Sequence, residues 1–346
     1  MPFSYLIGSN KMNIQKEQLK KALETVKPGL AGKEIIEQST SFAFMGGRVV
    51  TYNDEISISH PVEGLNLTGA IWAEELYQLL SKLKREEIEV EITDTEVILS
   101  AGKMKAGLIL QSEIKLPLDE IGEISKWKSL PENFSEAVQF VASSCSSDMS
   151  RAILTCVHIV SNQCEASDAY QIAQFQFSSG LPSKTNLLIP ASSIREVIKI
   201  NPTKIATGSG WVHFKNEAGT VLSCRVFEDE FPDTGEHMEV EGTELTFPKT
   251  ITEILDRASV FSKQAVSTDE TITITLANNR MKIAGKSDSG WFEEEANIKF
   301  SAESTSFMIT PSLFRNILNR SNSCVLGSSK VKFSGENWDF MALLKE

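Results

Sequence analysis

Apolar residues along this 346-residue chain follow two rhythms. The first has the i, i+3, i+4, i+7 spacing of an amphipathic helix. It occurs at Leu19, Ala22, Leu23 and Val26, again at Phe134, Ala137, Val138 and Val141, and again at Ile251, Ile254, Leu255 and Ala258. These copies are 115 and 117 residues apart. A second helix-like unit also recurs three times, as IWAEELYQLL at 71–80, IPASSIREVI at 189–198 and ITPSLFRNIL at 309–318, at intervals of 118 and 120. A period this long is too large for a solenoid and fits a triplicated domain. Helices are expected over 13–27, 71–85, 132–143, 190–200, 250–263 and 310–320.

Between the helices the rhythm changes to strict alternation, as in IEVEI at 88–92 and TITIT at 271–275, with shorter runs at 281–283 and 331–333. Turn-forming residues at 93–95, 216–219, 278–279 and 334–337 punctuate these runs. The pattern predicts antiparallel meanders with short hairpins. Stretches rich in Pro, Gly and charge at 115–131 and 231–242 read as linkers. The expected class is α+β, built as three tandem repeats of two helices with antiparallel sheets: 12–124, 125–240 and 241–346, after an N-terminal extension at 1–11.

Composition narrows the function. With 41% hydrophobic and 23% charged residues the chain reads as an ordinary globular protein. No apolar run approaches the roughly 20 residues of a membrane span, so no membrane partner is expected. The first eleven residues lack a basic segment and a long apolar core, so no signal peptide is expected. Five cysteines, an odd number without CxxC spacing, read as reduced thiols of a cytoplasmic protein. His60, His158, His213 and His237 stand far apart, without metal-ligand spacing. No nucleophile or phosphate-binding motif occurs. No metal, cofactor or enzymatic activity is expected. Asp168, an acid following Ser167, reads as a turn cap.

The net charge of −12 argues against nucleic acid. Its distribution does not: the six expected helices sum to +4, leaving −16 elsewhere. Either the helical cations form a phosphate-facing surface on an acidic body, or they are simply solvated. The pattern leaves both readings open.

Five segments carry a resemblance. CEASDAYQIA at 164–173 is similar to a strand followed by T-D-G-H-R-L-A, and LIPA at 188–191 to V-I-V-P-R before a helix. FEDEFPD at 227–233 resembles D-G-x-F-P-D, PGLAGK at 28–33 a glycine-containing loop ending in Arg, and FMALL at 340–344 a terminal V-M-P-M-R. In this order and spacing, over residues 12–346, the chain resembles the bacterial-type β sliding clamp, the processivity ring of replicative DNA polymerase.

The resemblance implies a head-to-tail homodimer, a six-domain ring with helices lining the hole and sheets outside. It would encircle double-stranded DNA without reading sequence. It would tether the polymerase and a clamp loader through short peptide motifs. An interaction hub on the same fold, phage- or plasmid-encoded and tethering transcription or repair proteins, is the alternative. A hydrolase or metal enzyme on another α+β scaffold lacks its motifs.

Expected DNA-facing residues are Lys16, Lys20, Lys33, Lys82, Arg151, Arg195, Lys199, Arg315 and Arg320. Lys33 and Arg151 match family positions, and the others follow from helix placement. Ring closure falls to Leu108 and Leu110 at one end and Val260 and Phe261 at the other, unless these are core residues. The partner-peptide pocket falls to Leu154, Ser167, Ala169, Tyr170, Gln171, Ile172, Met341, Ala342 and Leu343, unless these only pack a core. The family's G-H-R is Ala169-Tyr170-Gln171 here, its M-P-M is Met341-Ala342-Leu343, and a Pro expected near Glu239 is absent. A shifted peptide preference is therefore expected.

Overall fold

Burial explains which apolar residues make helices. The computed structural model describes residues 10–122, 124–262 and 270–344. Among them are six α-helices: α1 Lys16–Val26, α2 Ala73–Lys82, α3 Phe134–Ala142, α4 Ala191–Lys199, α5 Ile251–Ser259 and α6 Pro311–Leu318. All twelve residues of the first helical series are buried. The second series marks a strand-to-helix joint instead. Ile71, Ile189 and Ile309 lie in strands Gly69–Trp72, Asn186–Pro190 and Thr305–Ile309, each leading into α2, α4 or α6. All three isoleucines are buried.

The first helix is shorter than its pattern suggested. Residues 10–15 form a strand, Asn10–Gln15, paired with Glu87–Ile92. Ile14 is buried while Asn13 and Gln15 are exposed, an alternation too brief to distinguish from helical spacing. The expected boundary at residue 11 falls inside this strand, and residues 1–9 lie outside the described residues. Within their observed bounds the six helices sum to zero formal charge. Much of the expected surplus sits just past helix ends, at Lys27, Lys84, Arg85 and Arg320. Cations there meet the negative end of the helix dipole.

The chain divides into two compact units, residues 1–135 with 192–228, and 136–191 with 229–346. The first unit holds an eight-stranded sheet: Gly69–Trp72, Ser41–Met45, Arg48–Tyr52, Ile56–Pro61, Val221–Arg225, Trp211–Lys215, Lys204–Thr207 and Lys128–Ser129. It also holds a four-stranded sheet: Asn10–Gln15, Glu87–Ile92, Glu96–Ala101 and Met104–Ile109. The second unit repeats the scheme. Its eight strands are Asn186–Pro190, Cys156–Val160, Gln163–Ser167, Gln171–Gln176, Trp338–Leu343, Lys330–Ser334, Ser323–Leu326 and Thr243–Thr246. Its four are Gly290–Asn297, Arg280–Ser287, Ile272–Ala277 and Thr305–Ile309.

Each eight-stranded sheet is two four-stranded halves from successive repeats, joined edge to edge. The middle repeat therefore contributes one half to each unit. Every join is antiparallel: Ile56–Pro61 pairs Val221–Arg225, and Gln171–Gln176 pairs Trp338–Leu343. The expected hairpin at Asn278 and Asn279 has both residues at positive φ, 50° and 59°, as a two-residue turn between twisted strands requires. Among the described residues no disulfide joins the cysteines. Burial pushes the Cys156 thiol up to about 11 and Cys324 up to about 12, which keeps them unreactive near neutral pH.

Candidate functional site

The join in the second unit ends in a cleft. Strand Gln163–Ser167 turns at Asp168 into strand Gln171–Gln176. Asp168 Oδ1 accepts the backbone N–H groups of Tyr170 and Gln171 at 2.9 and 3.0 Å, and Ser167 Oγ accepts that of Ala169. Asp168 is thus a turn cap, as its sequence position suggested. Ala169 takes φ +78°, a left-handed conformation that favours glycine. The turn sets Tyr170 60% exposed beside the end of Trp338–Leu343, where Leu343 N–H donates to the Tyr170 carbonyl at 2.8 Å.

Eight of the nine expected pocket residues line one cavity of about 370 Å³: Leu154, Ser167, Ala169, Tyr170, Gln171, Ile172, Met341 and Leu343. Ile172 and Met341 pack with Met238 and Val240 as its apolar floor. The ninth residue, Ala342, lines an adjoining cavity of about 190 Å³ with Leu313, Ile309 and Met308, and the two share Tyr170, Gln171 and Leu343. Sequence reasoning missed the other wall, formed by Pro232, Asp233, Thr234 and His237. The F-P-D segment was the available signal, but nothing in its pattern showed that the chain after it returns to the cleft.

A buried polar network fastens that wall. The Glu165 carboxylate, almost fully buried, accepts hydrogen bonds from His158 Nδ1 at 2.8 Å, from Gln174 Nε2 at 3.0 Å and from the Thr234 hydroxyl. Burial opposes ionisation of Glu165, yet these donors outweigh it and hold its carboxyl below the usual range. The His158 ring stacks on Phe231, the aromatic residue of the F-P-D segment, with centroids 4.9 Å apart.

The first unit has the same joint with an arginine at its end. Asn53 Oδ1 accepts the N–H groups of Glu55 and Ile56, Asp54 takes φ +76°, and Arg225 N–H donates to the Glu55 carbonyl at 2.9 Å. Arg225 holds the place of Leu343. Its guanidinium lies 4.8 Å from the Trp211 ring centroid and bonds the Asp54 carboxylate, the Glu120 carboxylate and the Tyr52 hydroxyl.

The expected DNA-facing residues divide. Lys33, Lys82, Arg151 and Arg195 are exposed and make no ion pair among the described residues. Lys20, Lys199, Arg315 and Arg320 pair with Glu24, Glu196, Asp256 and Glu136. Such surface pairs are worth under about 1 kcal/mol and yield readily to phosphate. Lys16 does not belong with them. Its side chain is only 12% exposed, and Nζ pairs with Glu17 and donates to the Leu83 carbonyl at the end of α2. It caps a helix end.

The expected closure residues also divide. Leu108 is half-buried on strand Met104–Ile109, which is an edge of its sheet, but Leu110 is buried inside the unit. The exposed apolar side chain on that edge is Ile109, at 68%. Val260 is 69% exposed after α5, whereas the half-buried Phe261 ring packs over Gly290 at the start of the other free edge. That edge, Gly290–Asn297, exposes Trp291 at 71%.

Among the described residues no group of three or more His, Cys, Asp or Glu is placed to hold a metal. None of the described helices is long and apolar enough to cross a membrane.

No family model matches the chain, and no curated protein matches its sequence. Solved structures do. The DNA polymerase III subunit beta from Pseudomonas aeruginosa superposes with a TM-score of 0.82 at 14% identity, over 97% of this chain and 100% of that one. The beta subunit from Streptococcus pyogenes gives 0.81 at 20% identity over 97% and 100%. A sliding clamp from Bartonella birtlesii, bound to griselimycin, gives 0.82 at 14% identity over 98% and 100%. The chain has the sliding-clamp fold along nearly its whole length.

Proposed function

We propose that this chain is a divergent member of the β sliding clamp family, which closes head to tail as a homodimer around duplex DNA and tethers a DNA polymerase as its processivity factor. The observation that carries this reading is the pairing of half-sheets. In both internal joins, the third strand of one repeat's first half pairs with the last strand of the next repeat's second half. Among the described residues, two such strands have no ladder on their outer side: Gly290–Asn297 and Met104–Ile109. They hold the corresponding positions, so a second copy completes the series by the same antiparallel contact.

Side chains suit the join. Lys103 and Lys105 are exposed at one edge, and Glu293 and Glu295 at the other. Ile109 and Trp291 add apolar surface, which an unprotected edge otherwise avoids. Two such contacts, related by a two-fold axis, close a ring.

A ring needs no tight hold on DNA. Lys33, Lys82, Arg151 and Arg195 supply mobile charge, and weak phosphate contacts leave the protein free to slide. The chain then needs no catalytic group of its own. The cleft at Tyr170 and Leu343 is the docking site for short apolar peptides of the polymerase and the clamp loader. Light scattering tests the assembly: the account requires about 76 kDa, twice the 38.2 kDa chain. A 38 kDa particle at all concentrations would overturn it.

A further inference from the structure

We infer that the peptide taken by the Tyr170–Leu343 cleft carries an arginine beside its apolar anchors. This rests on the docking role proposed above and specifies the partner's chemistry.

The cleft is rich in acceptors and poor in cations. Among the described residues, its two cavities are lined by the carboxylates Asp168 and Asp233 and by no lysine or arginine. Gln171, which lines both, donates Nε2 to Asp168 Oδ2 at 2.8 Å. That bond fixes the amide, and its Oε1 is left buried without a partner. A buried acceptor in this state is costly until a donor reaches it. Tyr170, mostly exposed, brings an aromatic ring to the cleft, and planar cations stack on such rings. One cation lies near the rim, Lys330, whose Nζ donates to the His237 carbonyl at 3.3 Å.

The molecule already contains the proposed occupant elsewhere. At the equivalent joint of the first unit, the guanidinium of Arg225 lies over an aromatic ring and bonds two carboxylates and a tyrosine hydroxyl. The second joint keeps the backbone but has Leu343, Ala169 and Ser167 where the first has Arg225, Asp54 and Tyr52, and its aromatic ring and two carboxylates come from other positions, Tyr170, Asp168 and Asp233. An arginine delivered by a partner supplies in trans what Arg225 supplies in cis. Arginine suits the site better than lysine, because its planar fork stacks and bonds carboxylates together.

The test is a panel of fluorescein-labelled, end-capped hexapeptides with Leu and Phe at permuted positions and Arg, Gln or Glu at one further position. Each is titrated with the full-length protein and followed by anisotropy. The Arg peptides should bind tightest, about tenfold over their Glu counterparts at low salt. The preference should shrink to about threefold in Asp233→Asn and in about 0.5 M NaCl. Equal or tighter binding of the Glu peptides, or a preference untouched by both changes, overturns the arginine inference and leaves the docking site standing. Binding by none of the peptides, or binding indifferent to the double change Met341→Ala, Leu343→Ala, overturns the docking site itself.

Discussion

The two internal joins are the same backbone with different ends. In both, an Asx side chain caps the turn, the next residue sits at φ near +77°, and the strand returns with one N–H to the turn carbonyl. One ends in Arg225 and its ion pairs, and the other ends in Leu343 and a cleft. The repeat therefore specifies scaffold, while the side chains at its end, Arg225, Asp54 and Tyr52 in one join and Leu343, Ala169 and Ser167 in the other, set its chemistry. In the proposed dimer, the sheet edges at Met104–Ile109 and Gly290–Asn297 would form a third instance of the same join between two copies.

The largest effect is expected at that third instance. Ile109→Asp buries a carboxylate where the account places a strand-to-strand contact, and should weaken the dimer at least about 100-fold. Sedimentation equilibrium reads it directly. An unchanged mass would mean that the edges do not pair.

Acid should separate the two units. Burial holds the His213 imidazole neutral in the first unit, down to about 4 from an ordinary 6.5. Protonation then favours the unfolded chain, so this stabilisation is complete above pH 6.5 and is lost as pH falls from 6.5 towards 4. The cost approaches about 3 kcal/mol at the lower end. In the second unit the Glu165 carboxyl is held low, so its stabilisation persists until pH falls below about 4.5. Hydrogen exchange at pH 7 and pH 5 should show protection falling first around residues 204–225. Equal loss in both units contradicts the assignment.

An arginine at the end of the second join should block its cleft. Leu343→Arg places an internal guanidinium in the cleft and should weaken apolar-peptide binding about 30-fold, with the dimer mass unchanged. Binding at the original strength would mean that peptides dock elsewhere. The reverse change, Arg225→Leu, removes the arginine from the first unit's join. Because Arg225 is 41% exposed, the lost network should cost only about 1 kcal/mol in urea unfolding. A cost above about 3 kcal/mol would make Arg225 a core determinant, and the two ends would not be interchangeable.

Periodicity made the helices and the triplication legible, since burial enforces the i, i+3, i+4 spacing at Leu19, Phe134 and Ile251 alike. It did not show that Ile71, Ile189 and Ile309 close strands, because a short strand running into a helix keeps the same apolar residues. Nor did it separate Leu110 from Ile109: in a run of three apolar residues, the face each one takes depends on strand pairing that lies far away in sequence. The floor and one wall of the cleft came from motif resemblance. The other wall, from Pro232 to His237, is held by Glu165 and Phe231 through contacts that no local pattern encodes. The capping contact of Lys16 was not legible for the same reason, since the carbonyl it caps belongs to Leu83.

Topological retention on DNA tests the central claim most directly. The dimer is reassembled from monomer in the presence of nicked circular DNA and passed over a sizing column in about 0.3 M NaCl, which screens exposed phosphate contacts. The account predicts co-elution with the circle and release once a restriction enzyme linearises it. Equal retention on circular and linear DNA would show ordinary binding and contradict the ring.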